Sequence, residues 1–259
     1  MKLRFLGTNG WYANPKTGNT TCALVEMEDR YIVLDAGDGF AWLSDYATDR
    51  KKPIDVFLSH FHIDHVAGLH TLPKIKEGVR MRIFVQPGGK RTLLRLLSHP
   101  YTASLSEQFA KVSVHELAIG KNTISDRRGK YYVDIAPLVH ADPCIGFRFA
   151  LEGKKWEEGK IIAYCTDTGE CENYLRLAKG ADLLITECGM LPGGKTDPEW
   201  PHLSPETAAA LAKKAGCKKL VLTHFAAHQY KNMKMRAAAQ RAAARIFPKT
   251  IAAKDGMVV

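Results

Sequence analysis

Short apolar segments separated by polar turns run along most of the chain, and their residue types favour β-strands. They are rich in valine, isoleucine, tyrosine and phenylalanine, which fit a pleated, half-buried surface. The predicted strands are Lys2–Gly7, Thr21–Met27, Tyr31–Asp35, Asp55–Ser59, Arg82–Gln86, Val112–Leu117, Tyr132–Val139, Cys144–Leu151, Lys160–Cys165, Asp182–Thr186 and Lys219–Thr223. A last strand is predicted near Thr250–Ala253 or Met257–Val259.

Apolar residues at helical spacing interrupt this pattern. They predict helices at His65–Lys76, Lys90–His99, Asn173–Lys179, Pro205–Ala215 and Lys231–Ile246. The fourth is the clearest, because Ser204 can cap it, Pro205 suits its first position and Gly216 follows its end. The order is not the strict alternation of a doubly wound fold. It predicts an α/β (α+β) fold of two sheets packed face to face with helices outside, in one domain over residues 1–259.

The size and composition of the chain are those of an ordinary globular protein. Its 259 residues, 46% of them hydrophobic, are enough to bury a sizeable core. No apolar run approaches the roughly 20 residues that span a bilayer, and the start MKLRFLGTNG does not resemble a signal peptide. We therefore expect a cytoplasmic protein with no membrane partner. The six cysteines are scattered without a CxxC pair, which predicts free thiols.

The charge balance favours an anionic partner. A net charge of +10 and a pI of about 9.3 suit nucleic acid above all. The cations are spread out, however, so ordinary solvated lysines and arginines would also explain the value. The nearest approach to a basic cluster lies on the last predicted helix: Lys231, Lys234, Arg236, Arg241 and Arg245.

The segment Ser59–His65, SHFHIDH, carries the strongest chemical signal in the sequence. Four side chains able to bind a metal follow the apolar run DVFL and precede a predicted helix. His60 and His62 are two residues apart, so on extended chain they point the same way and can share one metal. Asp64 and His65 lie where the chain turns into a helix, so they can hold a second one. Imidazole and carboxylate suit zinc, and also manganese or iron.

Three further candidates each follow an apolar run. His140 ends YYVDIAPLVH, Asp167 follows KIIAYC, and His224 ends KKLVLTH. Strand ends at one edge of a layered fold converge where sites are usually built. Taken singly, an Asp before Thr-Gly is more often a turn residue. The repeated arrangement of strand and then ligand favours a joint metal site.

These motifs together resemble the metallo-β-lactamase superfamily. The similarity runs from LGTNG through LDAGDG to the closing AAKDGMVV. Within the superfamily, LGTNGWYANPKTGNTT and HLSPETAAALAKKAGCKKLVLTHF are most similar to the ribonuclease Z-like and cyclic phosphodiesterase branches.

The resemblance implies a four-layer αββα sandwich that binds two divalent metal ions, zinc by default. It implies that His60, His62 and His140 hold the first ion. It assigns Asp64, His65 and His224 to the second ion, and makes Asp167 the bridge. A homodimer is the default assembly that it implies.

The chemistry expected of such a site is hydrolysis of a phosphodiester. Two adjacent metals lower the pKa of a bridging water, and the resulting hydroxide would attack phosphorus. Asp64 could accept the proton of that water. His202, in the loop before the capped helix, is the candidate general acid for the leaving alkoxide. Glu187, at the end of DLLITE, is a candidate to orient His202 or a ligand.

Three departures from ribonuclease Z leave the substrate open. Those enzymes often have Ser-Ser-Arg-Tyr after the last histidine, whereas FAAHQY follows His224 here, and GDGF stands where GEGT is more usual. They also carry a long basic arm between the positions of His140 and Asp167. Here that interval holds two predicted strands and the short loop GKKWEEGK. Trp11 and Tyr12 could stack on a base, or pack under the opening loop, the segment LGTNGWYANPKTGNTT.

The leading interpretation is a zinc phosphodiesterase acting on RNA, with 3′ processing of tRNA precursors as one version. The alternative is a phosphodiesterase for cyclic or other small nucleotides. A lactone or thioester hydrolase is a weaker alternative, because a thiolate leaving group would not need an acid such as His202. The last alternative is a non-catalytic module that binds metal and nucleic acid.

Overall fold

A computed structural model describes residues 1–152 and 159–259 of the chain. Contacts between residues divide these ranges into two compact units. The first contains Met1–Leu117 together with Lys254–Val259, and the second contains Ala118–Ala253. Each unit has its own sheet and its own apolar core. The single domain expected over residues 1–259 stays a prediction.

The first unit is built on a six-stranded sheet of order β1-β3-β4-β5-β6-β7. The strands of this unit are β1 (Lys2–Gly7), β2 (Asn9–Gly10), β3 (Cys22–Glu26), β4 (Tyr31–Leu34), β5 (Ile54–Phe57), β6 (Arg80–Val85) and β7 (Lys111–Glu116). β1, β3 and β4 are antiparallel neighbours, whereas β4 to β7 run parallel. The parallel strands β4 and β5 are buried along their whole length, as expected for strands covered on both faces.

Short helices cover this sheet. They are α1 (Leu43–Tyr46), α2 (Ile63–Val66) and α3 (Gly89–Leu96), with 3-10 turns at Asp38–Trp42, Ala67–Lys74 and Leu105–Glu107. The core joins strand residues such as Val33 and Val56 to helix residues such as Leu69 and Leu93, all of them buried. The core thereby fixes the place where β5 ends and α2 begins.

The sheet of the second unit contains its strands in the order β14-β13-β12-β11-β10-β9-β8. They are β8 (Gly120–Asp126), β9 (Gly129–Leu138), β10 (Cys144–Leu151), β11 (Lys160–Cys165), β12 (Leu183–Cys188), β13 (Leu220–Ala226) and β14 (Thr250–Ala252). β8 to β11 are antiparallel, and β11 to β14 are parallel. The helices are α4 (Glu172–Ala178), α5 (Pro205–Lys214) and α6 (Met233–Ala244).

The capping predicted for α5 is present. Ser204 is its N-cap and accepts a hydrogen bond from the backbone N–H of Thr207, and Pro205 occupies the first turn. Asn232 caps α6 in the same way, through the N–H of Met235. Both caps satisfy donors that would otherwise lack a partner within the helix.

The predicted strands agree with the observed ones to within a few residues, and the α/β fold class with two sheets is confirmed. The helix predicted at His65–Lys76 was wrong in part. Within that range only His65 and Val66, the last two residues of α2, are α-helical, and the segment continues as the 3-10 turn Ala67–Lys74, which contains Pro73. Proline has no N–H for a helical ladder, so Pro73 limits how far a regular α-helix could continue through this segment.

Several other sequence-based expectations can be compared with the structure. All six cysteines are free thiols, as predicted. Among the described residues, no helix combines the length and apolar character needed to cross a membrane. The strands β10 and β11 lie where predicted, but residues 153–158 of the loop GKKWEEGK lie outside the described residues.

Candidate active site

Three histidine rings of the first unit lie side by side after β5. The ring centroids of His60 and His62 are 4.5 Å apart, and those of His60 and His65 are 4.1 Å apart. His62 keeps extended backbone and precedes α2, which carries Asp64 and His65 in its single turn. The compact turn therefore places His65 beside His60. His60 and His65 are buried, whereas His62 and Asp64 are partly exposed.

Asp35 supports this histidine cluster from the end of β4. Its Oδ2 lies 2.9 Å from Nδ1 of His65, and both side chains are fully buried. The same carboxylate accepts hydrogen bonds from the N–H and the hydroxyl of Ser59, and that hydroxyl lies 3.0 Å from Nδ1 of His60. Sequence reasoning did not assign Asp35 a role, although YIVLD shows the same strand-then-ligand pattern that singled out Asp167.

Asp64 is held from the opening loop. The backbone N–H of Trp11 donates to its Oδ2 at 2.6 Å. Gly37 packs against the main chain on the other side, where an added Cβ would meet the carbonyl oxygen of Asp64 at 2.1 Å. The position of this carboxylate thus depends on two segments distant in sequence.

The second unit brings together the other three predicted ligands and the candidate acid. Nε2 of His224 is 3.3 Å from Oδ2 of Asp167, and the rings of His202 and His224 are stacked with centroids 6.1 Å apart. His140 follows β9, and its ring centroid is 5.6 Å from that of His202. These side chains come from the ends of β9 and β11, from the loop before α5, and from β13.

His224 lies within β13, not after it as the sequence suggested. Along the β12–β13 ladder, Glu187 pairs with Thr223 and Cys188 with Phe225, so His224 is an extra residue in a bulge. Its φ of 48° is left-handed. A bulge redirects a side chain without ending the strand, and bulges are frequent beside active sites.

Left-handed backbone is concentrated at these positions. Among the described residues other than glycine, only Trp11, Asp35, Glu152, Asp167 and His224 have positive φ. Four of the five are candidate ligands or contact one directly. Such conformations cost of order 1–3 kcal/mol each and cluster at functional sites.

His202 and Glu187 form a buried pair. Nδ1 of His202 lies 2.8 Å from Oε1 of Glu187, and neither side chain is more than 8% exposed. The carboxylate also accepts backbone N–H groups of Thr168, Gly189 and Leu203. An acceptor surrounded by donors in this way makes Nδ1 of His202 the protonated nitrogen and directs Nε2 away from Glu187.

The donor atoms of each unit fit a divalent metal. In the second unit, His140, Asp167 and His202 offer ligand atoms within 4.8 Å of one another, and so do Glu187, His202 and His224. In the first unit, the imidazoles of the histidine cluster and the carboxylate of Asp64 supply the same types of ligand atom. Imidazole nitrogen and carboxylate oxygen are the ligands that zinc, manganese and iron take in proteins.

The residues after His224 are used to support a neighbouring loop. Tyr230 donates to the carbonyl of Met190 at 2.5 Å, and the N–H of Leu191 donates to Oε1 of Gln229 at 3.2 Å. Tyr230 also contacts the thiol of Cys188 at 3.2 Å. FAAHQY therefore anchors the segment that leads from β12 to Trp200 and His202.

Comparison with known proteins identifies the class of protein. Residues 30–225 match the family described as the Beta-lactamase superfamily domain. The chain therefore belongs to the β-lactamase superfamily, and it is a hydrolase of the metallo-β-lactamase fold, as the sequence motifs implied.

Individual relatives and solved structures show which members of the superfamily this chain is similar to. The ribonuclease Z of Bacillus licheniformis is 26% identical over 98% of this chain and 97% of its own. The metallo-β-lactamase fold protein YhfI of Bacillus subtilis superposes with a TM-score of 0.77 at 19% identity, over 100% and 98% of the two chains. The short form of human tRNase Z gives 0.73 at 24% identity, with the same coverage. The alignment to the B. licheniformis protein spans 306 positions, more than the 259 residues here, so that relative carries insertions.

Proposed function

We propose that the protein is a zinc-dependent phosphodiesterase that cleaves RNA, with 3′ processing of tRNA precursors as its reaction. The similarity to proteins named ribonuclease Z over nearly the whole chain supports this function. The net charge of +10 suits a polyanionic substrate. The observation that carries the proposal is the buried His202–Glu187 pair beside Asp167 and His224, because an alkoxide leaving group needs a proton donor.

The proposed ligands are those that the motifs assigned. His60, His62 and His140 would hold one ion, Asp64, His65 and His224 the other, and Asp167 would bridge them. When bound, a pair of divalent metals supplies a hydroxide nucleophile at neutral pH and offsets the charge that develops on phosphate.

The residues of the chain complete the chemistry around that pair. The carboxylate of Asp64, fixed by the Trp11 N–H, would accept the proton of the attacking water. His202 would deliver the proton on Nε2 to the leaving oxygen, while Glu187 keeps its Nδ1 protonated and its ring oriented.

A phosphodiesterase for cyclic or other small nucleotides is the second candidate. β10 ends at Leu151 and β11 begins at Lys160, and this short interval favours a small nucleotide as the substrate. So short a connection has no room for a long basic arm that would grip tRNA. The metal chemistry would be the same in both cases, and only the substrate differs.

A side-by-side hydrolysis assay tests both candidates. The zinc-loaded protein would receive a 3′-extended tRNA precursor and a set of cyclic mononucleotides at fixed salt. Asp64→Ala serves as the inactive variant, and Asp45→Ala, an exposed carboxylate on α1, as the matched control. Fast cleavage of the precursor at a single site supports RNA processing. Fast turnover of cyclic nucleotides with slow, ragged RNA cleavage makes the small nucleotide the substrate. Activity on neither would favour a non-phosphate ester as the substrate.

A further inference from the structure

We propose that Trp11, with Tyr12 beside it, forms a stacking platform for a base of single-stranded RNA next to the bond that is cut. This inference rests on the proposed function and names the part of the substrate that the site holds. It assigns a substrate-binding role to two residues of the opening loop outside the proposed ligand set.

The exposure of the two aromatic side chains is the first observation. Trp11 is 48% exposed and Tyr12 is 50% exposed. The sequence left open whether they pack under the loop, and at about half exposure neither side chain is buried beneath it. Exposed aromatic rings are the surfaces on which single-stranded nucleic acids stack, with little preference for the base.

The position of Trp11 is the second observation. Its own N–H donates to Asp64 at 2.6 Å, so the residue that carries the indole is in direct contact with a proposed ligand. A nucleotide whose phosphate reaches the proposed metal site that includes Asp64 would therefore have its neighbouring base beside the opening loop. An anionic RNA strand is also the ligand that suits a chain of net charge +10.

The backbone of Trp11 is the third observation. Its φ of 75° is left-handed, which is rare for a bulky side chain and is maintained only where the surroundings enforce it. The same backbone conformation directs the N–H to Asp64. One strained residue thus combines the contact to the carboxylate with the exposed ring.

The opening loop is held rigidly at its base. The carboxylate of Asp255 accepts hydrogen bonds from the Thr8 hydroxyl and from both the backbone and side-chain N–H groups of Asn19. The Asn9 side chain donates across the loop to the carbonyl of Gly18 at 2.6 Å. A platform fixed before binding loses little conformational entropy when a base stacks on it.

Equilibrium binding tests the platform without relying on catalysis. Fluorescence anisotropy would compare a labelled single-stranded RNA with an oligomer of the same backbone whose nucleotides are abasic, using zinc-loaded protein at low temperature so that cleavage during the measurement is negligible. Trp11→Gly is the informative variant, because glycine accepts the positive φ and keeps the N–H to Asp64 while removing the ring. Trp42→Ala is the matched control, since Trp42 is 49% exposed in the same unit.

We expect Trp11→Gly to weaken binding of the normal RNA about tenfold and to leave binding of the abasic oligomer unchanged. Trp11→Phe should retain most of the affinity, Tyr12→Ala should cause a smaller loss, and Trp42→Ala should match the wild type. Equal affinity of Trp11→Gly and wild type for normal RNA, or an equal loss on both oligomers, would overturn the platform.

Cleavage by the zinc-loaded proteins separates this inference from the proposed function. A wild-type protein that cuts no phosphodiester refutes the function, whereas the binding comparison still decides the platform. If the wild type cuts the precursor, Trp11→Gly should raise KM for it by about the same factor as the loss in binding and change kcat little. A fall confined to kcat would contradict stacking.

Discussion

Asp35 and His65 are 30 residues apart in sequence, yet Oδ2 of Asp35 lies 2.9 Å from Nδ1 of His65 in a fully buried contact. The carboxylate makes Nδ1 the protonated ring nitrogen, so Nε2 of His65 is the nitrogen left for a metal. The contact also fixes the plane of the ring. Asp35 is therefore a positioning residue for a proposed ligand.

Replacing Asp35 with asparagine should weaken metal binding about 10- to 100-fold, because the ring loses the charge that orients it. Asparagine matches the shape and tolerates the left-handed φ of 57°, so the fold should be kept. Competition with a chelator of known zinc affinity measures the change. The control is Asp29→Asn, a partly exposed carboxylate that pairs with Arg30. Zinc affinity equal to wild type would show that Asp35 only supports the fold.

His202→Ala should affect substrates according to their leaving group. Cleavage of an alkoxide-leaving RNA bond should slow about 10²- to 10⁴-fold in kcat, the usual contribution of a general acid. Hydrolysis of bis(p-nitrophenyl) phosphate should change little, because nitrophenolate leaves without a proton. Glu187→Gln should show a weaker form of the same selectivity.

Bound metal must be measured in parallel, since His202 is a neighbour in space of the proposed ligands His140 and Asp167. Loss of zinc together with equal loss on both substrates would make His202 a ligand rather than the acid.

The buried ion pairs of the first unit should matter more for stability than those at the surface. Asp55 is fully buried and accepts two hydrogen bonds from Arg82, at 2.7 and 2.8 Å, and one from the buried Arg30. Asp55→Ala leaves buried positive charge without this carboxylate and should lower the free energy of unfolding by about 3–5 kcal/mol. Lys218→Ala removes a surface pair with Asp182 and should cost less than about 1 kcal/mol. Urea denaturation followed by circular dichroism measures both, and similar losses would refute the distinction.

Thiol reactivity should follow burial. Cys171 is partly exposed, whereas the other five cysteines are buried. Burial raises the pKa of the Cys217 thiol to about 11 and raises the pKa of Cys188 well above its ordinary value. Because the thiolate is the reactive form, a thiol reagent at neutral pH should label Cys171 first. Mass spectrometry of the native protein after short labelling checks the site, and early labelling of Cys188 would contradict the structure.

The histidine cluster was predictable from sequence because its spacing is local. His60, His62 and His65 occupy one strand end and one helical turn, so residue spacing alone indicates a shared site. The Asp35–His65 contact depends on β4 and β5 being parallel neighbours, which no local pattern specifies. The bulge at His224 has no sequence signal either, since it arises from the pairing with β12.

A strand without an apolar face also has no local signal in the sequence. β8 was not predicted, because Ile124 is its only buried residue and the rest of Gly120–Asp126 is polar and exposed or half-buried. It is an edge strand, held by its pairing with β9 rather than by an apolar face. Strands with alternating or continuous burial, such as β5 and β13, were found.

The left-handed residues have a consequence for selection. Glycine at Trp11, Asp167 or His224 would relieve backbone strain, so variants that remove these side chains, which we propose to be functional, should also be thermally more robust. A library of this protein screened only for heat resistance would therefore drift toward inactive members at these positions. Homologues that have lost catalysis should be recognisable by glycine or asparagine there, with the surrounding sheets unchanged.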